Sequence, residues 1–162
     1  MAIPVSELQK LNPSARIELF VLELVEGLHY ATGNPSSVPT TFRFHAGSSM
    51  NSNAEIVWQG NLYQRLPISF EGAEFSGRGQ IPRPTLTIAN LGGISRSGAV
   101  ITLTDFLVIV NLTTPHNDLM DAKLTRITTL ASELDAVNFP SSSNPFGTPS
   151  ANELPQEIFY ID

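Results

Sequence analysis

The chain has 162 residues, of which 41% are hydrophobic and 15% charged, and its 15 acidic and 9 basic side chains give a net charge of −6. This length predicts a single domain, and the acidic balance argues against a primary nucleic-acid-binding role, which requires a basic surface. Because the chain contains no cysteine, its residues form no disulfide, thiol nucleophile, iron–sulfur site or cysteine-ligated zinc site.

The N-terminus lacks the basic and apolar regions of a secretory signal, and no apolar run approaches the roughly 18 residues that a membrane span requires. We therefore expect a soluble chain that is made in the cytoplasm. A charged fraction well below the usual value of about a quarter indicates that much of the surface meets other protein.

Residues 1–15 are predicted to form an N-terminal arm, and residues 16–162 a single β-rich domain. In the arm, the capping box at Ser6-Glu7-Leu8-Gln9 predicts a short helix that ends at Asn12-Pro13. The strongest strand prediction is Arg16 to Val25, where apolar residues on both faces indicate burial on both sides.

The central part of the chain predicts short strands joined by turns. Gly27 to Pro39 is a turn-rich connection, and the alternation in Phe42-Arg43-Phe44-His45 predicts a strand. From Trp58 to Asn90 we expect two strand pairs, the first with its turn at Gly60-Asn61, whose residue types tolerate positive φ. Turn signals about 8–12 residues apart favour a small β-sandwich or barrel-like domain.

In the last third, residues 92–98 break the strand pattern. Apolar residues at i, i+3, i+4 and i+7 in Leu103 to Val110 predict a helix capped by Thr102 or Thr104, although the β-branched content also fits a strand. A short helical turn is expected between Asn117 and Ala122.

The strand expected from Lys123 to Leu134 requires a bulge near Thr128, because its apolar residues do not share one face. A long loop from Phe139 to Leu154 and a final strand from Ile158 to Ile161 complete the predicted domain. The fold class predicted is therefore mainly β (α+β), with one or two short helices.

The titratable residues show no catalytic or metal-binding pattern. His29, His45 and His116 lack metal-ligand spacing and are interpreted as isolated surface or half-buried side chains. Glu71 and Glu74 could form an acid–base pair, but a solvated loop is the favoured interpretation. We expect no enzyme, metal or cofactor.

Five residues are candidate interface or core anchors: Trp58, Tyr63, Phe75, Arg83 and Pro84. Trp58 and Tyr63 are expected to pack in a hairpin core or at an assembly interface. Pro84 has no backbone donor, which confines it to a strand start or edge. Arg83, expected beside Phe75 and Trp58, could lie over an aromatic ring, pair across a subunit boundary, or anchor its own loop.

The same residues carry a resemblance to a known family. Trp58-x-Gly60-x-x-Tyr63, Pro67-Ile68, Phe75, Gly79 and Arg83-Pro84-x-Leu86-x-Ile88-x-Asn90 resemble, in order, a run of the minor tail protein L family of lambda-like bacteriophages. Asp118-Leu119-x-x-Ala122-Lys123-Leu124-Thr125-Arg126 resembles its D-L-x-G-x-x-V-x-R segment, with approximate fits at Ala122 and Leu124. Pro155-x-Glu157-Ile158-Phe159-Tyr160-Ile161 resembles a strand before the family's C-terminal region.

This resemblance implies a structural, homo-oligomeric component of a non-contractile phage tail tip, located between the end of the tail tube and the central hub or receptor-binding fibre. It implies a ring of identical copies, a trimer or hexamer, whose partners are other tail proteins, with no membrane and with DNA only as passing cargo. The iron–sulfur cluster associated with the family's C-terminal part has no cysteine ligands here. The alternative is a small ligand- or carbohydrate-binding β-module with Trp58, Asn61 and Tyr63 as a stacking platform, which an exposed Trp58 would favour.

Overall fold

The computed structural model describes most of the chain. The described residues are 2–33, 40–47, 54–74, 77, 79, 81–90, 94–96 and 99–162, with 94–96 and 99–101 described by their backbone alone. The elements are α1 (Val5–Leu8), β1 (Arg16–Glu23), β2 (Thr41–His45), β3 (Ile56–Trp58), β4 (Asn61–Arg65), β5 (Ile68–Glu71), β6 (Thr85–Ile88), β7 (Ile94–Arg96), β8 (Ala99–Ile101), α2 (Leu103–Asn111), β9 (Lys123–Leu130) and β10 (Glu157–Tyr160), with 3-10 turns at Ala131–Glu133, Ala136–Asn138 and Pro140–Ser142. The mainly β prediction is confirmed.

A six-stranded sheet in the order β10-β9-β1-β2-β4-β3 forms the centre of the fold. Its pairs are antiparallel except for β2 and β4, which are parallel. β1 pairs with β9 along its whole length, from Arg16↔Leu130 to Glu23↔Lys123. β5–β6 and β7–β8 form separate two-stranded sheets.

Both faces of β1 are covered, as predicted from its apolar residues. Phe20 and Leu22 lie in one core with Phe106 of α2, while Leu19 lies in a second core with Trp58 and others. The first core is completed by Leu24, Phe44, Leu66, Val110, Ala122 and Leu124, and the second by Ile56, Tyr63, Ile127, Leu134 and Phe139. A sheet that is buried on both faces explains why the strand reads as nearly continuously apolar.

The predicted helix is confirmed as α2. Thr102 is its N-cap, and the Thr102 hydroxyl accepts a hydrogen bond from the Asp105 N–H while the Asp105 side chain accepts one from the Thr102 N–H, which completes a capping box. Phe106 and Val110 are the buried residues of this helix. None of the helices in the described part of the chain is long and apolar enough to cross a membrane.

The turn of the β3–β4 hairpin lies one residue earlier than predicted. Gln59 (φ 51°) and Gly60 (φ 72°) occupy the two central positions, and Asn61 begins β4 opposite Trp58. Positive φ at both central residues is the type I′ geometry that matches the twist of paired strands.

The bulge predicted near Thr128 is wrong, because β9 runs from Lys123 to Leu130 in one uninterrupted register with β1. The prediction assumed that the apolar residues must share a face. Leu124 instead faces the first core and Ile127 the second, so no change of face is needed.

The helical predictions at two other places also require correction. α1 begins at Val5 with Pro4 at its N-cap position, so Ser6 lies inside the helix and no side chain caps it. The Glu7 carboxylate accepts the Ser14 N–H at 2.9 Å and pairs with Lys10. Residues 117–122 form successive turns rather than a helical turn. The strand β7 lies within the region that was predicted to break the strand pattern.

Candidate interaction surface

Trp58 and Tyr63 lie inside the protein, at 3% and 2% exposure. The Trp58 indole N–H donates to the Ser150 carbonyl oxygen at 3.2 Å. Burial raises the pKa of the Tyr63 phenol. Neither ring offers a face to solvent, so these residues do not form the stacking platform of a ligand-binding module.

Arg83 and Pro84 lie immediately before β6, where Arg83 is exposed and Pro84 is half-buried. The Arg83 guanidinium is 3.8 Å from a carboxylate oxygen of Asp162, and both side chains are 89% exposed. The contact between a guanidinium and an aromatic ring that was considered for Arg83 is made instead by Arg126, which lies 5.1 Å from the centroid of the Phe70 ring. Phe75 lies outside the described residues.

The histidines differ from their predicted environment. His29 and His45 are fully buried rather than half-buried or superficial, and this burial lowers the pKa of both imidazoles. The Nδ1 atom of His29 accepts the Val25 N–H at 2.9 Å, and the Nε2 atoms of His29 and His45 lie 3.0 and 2.9 Å from the carbonyl oxygens of Met120 and Ala54. These contacts assign both histidines to the core.

The two carboxylates considered as an acid–base pair, Glu71 and Glu74, belong to no metal-binding group among the described residues. Glu71 and Glu74 are exposed. Among the described residues, no three histidine or carboxylate side chains come together in a way that could bind a metal ion. The surface features that remain are the margins of the sheets, which differ from one another.

The β3 margin of the large sheet is closed by side chains. The Val57 N–H donates to Asn138 Oδ1, and Asn138 Nδ2 donates to the Val57 carbonyl, each at 2.6 Å. The N–H groups of Gln59 and Gly60 donate to the two carboxylate oxygens of Asp135 at 3.0 and 2.7 Å. These four bonds occupy the groups with which another strand would pair.

The opposite margin is covered only at one end. Leu154 N–H donates to the Thr128 carbonyl, so the chain already runs beside β9 before β10 begins, and Ala2 forms a parallel bridge to Asn152 on its outer side. Further along, β10 pairs with β9 and with no other described strand. Ile158 and Tyr160 are 51% and 66% exposed there.

An ion triad fixes β10 to the sheet. Arg126 of β9 donates to Glu157 of β10 at 2.8 Å and to Glu18 of β1 at 2.6 Å. Burial by itself would lower the pKa of the Arg126 guanidinium, but the hydrogen bonds to the two carboxylates outweigh burial and raise it. With Phe70 beneath the guanidinium, this cluster joins four strands.

β6 presents a second open margin, beside an apolar groove of about 580 Å³. β6 pairs only with β5 among the described strands, and one wall of the groove is the unbroken run from Pro84 to Ile88. The other wall is Phe159 to Asp162 at the end of β10. The remaining lining residues are Phe70, Leu103, Leu107, Leu119 and Leu124.

Main-chain groups of β6 point into this open side. The Ala89 N–H donates to the Pro67 carbonyl at 2.9 Å, which marks that pair as hydrogen-bonded. Because hydrogen-bonded and non-hydrogen-bonded pairs alternate in antiparallel strands, the N–H and C=O groups of Leu86 and Ile88 point away from β5. The groove is therefore bounded by a strand edge whose outward groups pair with no other described strand.

The fold thus defines a mainly β protein whose candidate functional features are open strand edges rather than a reactive cluster. The sequence model of the phage minor tail protein L family matches residues 36–162, and the chain belongs to that family. A relative, the tail tip protein L of Escherichia phage lambda, is 30% identical over 103 residues, which is 63% of this chain and 38% of the relative. The matched part is therefore well under half of that relative's length.

The structure relates two of the family-like motifs to one another. Arg126 closes the motif that begins at Asp118 and Glu157 belongs to the last motif, and the two side chains form one arm of the ion triad. Asp118 itself accepts a hydrogen bond from Asn111 at 2.7 Å, which fixes the end of α2. The sequence motifs include Arg126, Glu157 and Asp118 but do not predict their contacts. The partners are 31 positions apart for Arg126 and Glu157 and 7 positions apart for Asn111 and Asp118.

Proposed function

We propose that this protein is a structural component of a non-contractile phage tail tip that links the end of the tail tube to the central hub or receptor-binding fibre. It acts without catalysis, as a ring of identical copies, a trimer or hexamer, that contacts other tail proteins. The observation that carries this proposal is the family match across residues 36–162, supported by the name of the lambda relative.

The surface is suited to such a role. Open strand edges at β6 and β10 can pair with strands of neighbouring subunits, since exposed edges are templates for pairing. The low charge and the net charge of −6 suit a conduit through which DNA passes without adhering. We propose assembly in the virion after synthesis in the host cytoplasm.

The long loop predicted from Phe139 to Leu154 contributes to this surface as a fixed element. Asn144 Nδ2 lies within 2.9–3.1 Å of the carbonyl oxygens of Ala131, Ser132 and Leu134. Glu133 accepts a hydrogen bond from the Ser150 hydroxyl, and the loop remains largely exposed. An exposed loop in a fixed conformation loses little conformational entropy when a neighbour binds.

Immunogold electron microscopy of phage particles tests the proposal. An antibody raised against this chain is expected to label the tip of a long tail, and antibody pre-absorbed with the purified chain provides the control for specificity. Label at the head or along the tube, or no label on intact and mildly disrupted particles, would contradict the assignment to the tail tip.

A further inference from the structure

The chain carries a strand pair that pairs with no other strand among the described residues. β7 and β8 pair with each other from Ile94↔Ile101 to Arg96↔Ala99, and neither pairs with another described strand. Two strands of three residues bury little surface on their own and are marginal in isolation. This hairpin therefore gains most by pairing with a further strand.

The base of the hairpin is fixed to the body of the protein. Asn90 Nδ2 donates to the Thr104 hydroxyl at 2.8 Å, and the Thr104 N–H donates to Asn90 Oδ1 at 3.1 Å. These two bonds join the chain just after β6 to the first turn of α2. Asn90 and Thr104, which lie on either side of β7 and β8 in the sequence, are therefore joined directly.

The groove beside β6 offers the matching feature. β6 has four residues, close to the three of β7, and its outward N–H and C=O groups at Leu86 and Ile88 lie along a mainly apolar surface. Asp162 is the charged residue among those that line the groove. Arg96 is the one charged residue in positions 94–101 of the sequence. The two strands thus match in length, and the charge of Arg96 is opposite to that of Asp162, whose carboxylate also lies 3.8 Å from the exposed Arg83 guanidinium.

We propose that β7 of one copy pairs with the outer edge of β6 in a second copy and lies in the groove beside it, with Arg96 near Asp162. This inference rests on the proposed function in one respect, since it specifies how copies in the ring contact each other. Because hairpin and groove are different surfaces, the contact is heterologous, so successive copies join head to tail and close into a ring where the rotation allows it.

The absence of cysteine from the sequence allows a direct test by disulfide formation. A Ser95→Cys chain would be mixed with a Thr87→Cys chain of different mass, and separately with Thr85→Cys, which covers the neighbouring register on the same side of β6. Thr148→Cys is the matched control, since Thr85, Thr87 and Thr148 are all exposed. Oxidation would be followed on non-reducing gels, with purified chain at high concentration and with assembled tails.

We expect mixed dimers with Ser95→Cys at Thr85 or Thr87 to form at least about tenfold faster than at Thr148, because paired strands give the two thiols a high effective concentration. Equal rates at Thr148, or no mixed dimer in both purified chain and tails, would overturn the proposal. A strand from a different tail protein in the groove would instead protect Thr87→Cys from thiol alkylation in tails without any cross-link to Ser95→Cys, and would equally overturn the proposal.

A main-chain substitution provides the second measurement. Ile88→Pro removes an N–H group that points away from β5, whereas the matched Ile88→Val keeps it. We expect Ile88→Pro to abolish the Ser95–Thr87 cross-link and Ile88→Val to retain it, with circular dichroism showing that both variants are folded. Cross-linking that survives in a folded Ile88→Pro chain would contradict pairing along β6.

The cross-link and the antibody label can fail independently. Tip labelling without the cross-link would leave the proposed function in place and remove this contact. The cross-link without tip labelling would support the contact and remove the location.

Discussion

The two margins of the six-stranded sheet end in different ways. At β3, Asn138 and Asp135 satisfy the main-chain groups of Val57, Gln59 and Gly60 from within the chain. At β10, the Ala2 bridge covers only the approach to the strand, and Ile158 and Tyr160 remain exposed. Side chains of the chain itself thus close one margin, whereas the other pairs with no further described strand.

The largest expected effect concerns β1, which lies between the two margins and upstream of the family match. A chain that begins at residue 36 lacks β1 and is expected not to fold, because both cores lose Leu19, Phe20 and Leu22. A chain that begins at residue 16 should fold with reduced stability. Circular dichroism and urea unfolding of both chains test this boundary, and a cooperative transition for residues 36–162 would contradict it.

Asn138→Ala would open the closed margin. Asn138 is 3% exposed, so its removal leaves the Val57 N–H and C=O without partners in a buried site. We expect a loss of about 3 kcal/mol in the free energy of unfolding. Chemical denaturation measures this loss, and Asn61→Ala, which removes a long 3.4 Å bond at an exposed site, provides the control. Equal effects for the two variants would show that the margin is not closed by Asn138.

Arg126→Met should weaken the attachment of β10, at the open margin, to β9 and β1. The substitution leaves Glu18 and Glu157 without their shared guanidinium, at a site where Arg126 is 15% exposed and the carboxylates 39% and 36%. We expect a loss of about 2 kcal/mol, below the usual cost for a fully buried pair because the carboxylates remain hydrated. Glu157→Gln should cost less, since Arg126 keeps Glu18. Urea unfolding compares the two, and the reverse order would contradict the triad's role.

The core between the margins should respond to acid. Burial lowers the folded-state pKa of His29 and His45, so the stabilisation is complete above the unfolded-state pKa of about 6.5 and is lost as the pH falls through the folded-state values. His45→Gln is expected to flatten the decline in urea midpoint between about pH 7.5 and 5. The exposed His116→Asn is the control, with a residue type that tolerates the positive φ at that position. An unchanged slope in His45→Gln would contradict this assignment.

Ile158→Ser should have the smallest effect. The side chain is 51% exposed on the open strand, so we expect a change within about 0.5 kcal/mol in the free energy of unfolding. Ile127→Ser, on the adjacent strand but 5% exposed, should cost several times more. A large loss for Ile158→Ser in thermal unfolding of the free chain would mean that this margin is already covered.

Local patterns predicted most of the fold. Apolar patterns predicted β1 and β2, and the i, i+3, i+4, i+7 spacing predicted α2, with Thr102 as one of two candidate caps. The errors arose where tertiary contacts outweigh local signals. A strand buried on both faces needs no bulge at Thr128, and Ser6 lies inside α1 rather than at its N-cap.

The candidate interaction surface was less predictable, because it consists of strand edges that pair with no further described strand. Pro84 correctly indicated a strand start, but no local signal in Thr85–Ile88 shows that this strand has one neighbour rather than two. The closing bonds of Asn138 and Asp135 reach Val57 and Gly60 across 81 and 75 positions in sequence. Such contacts depend on sheet order, which periodicity does not give.

Hydrogen–deuterium exchange of the free chain and of assembled tails tests the difference between the open margin at β6 and the closed margin at β3 most directly. We predict that the outward N–H groups of Leu86 and Ile88, within a peptide spanning residues 84–90, exchange rapidly in the free chain and at least about tenfold more slowly in tails, because β6 gains a partner strand. A peptide spanning residues 55–60 should exchange slowly in both states, since Asn138 and Asp135 already occupy its main-chain groups. Protection that appears at residues 55–60 on assembly, with none at 84–90, would contradict the account.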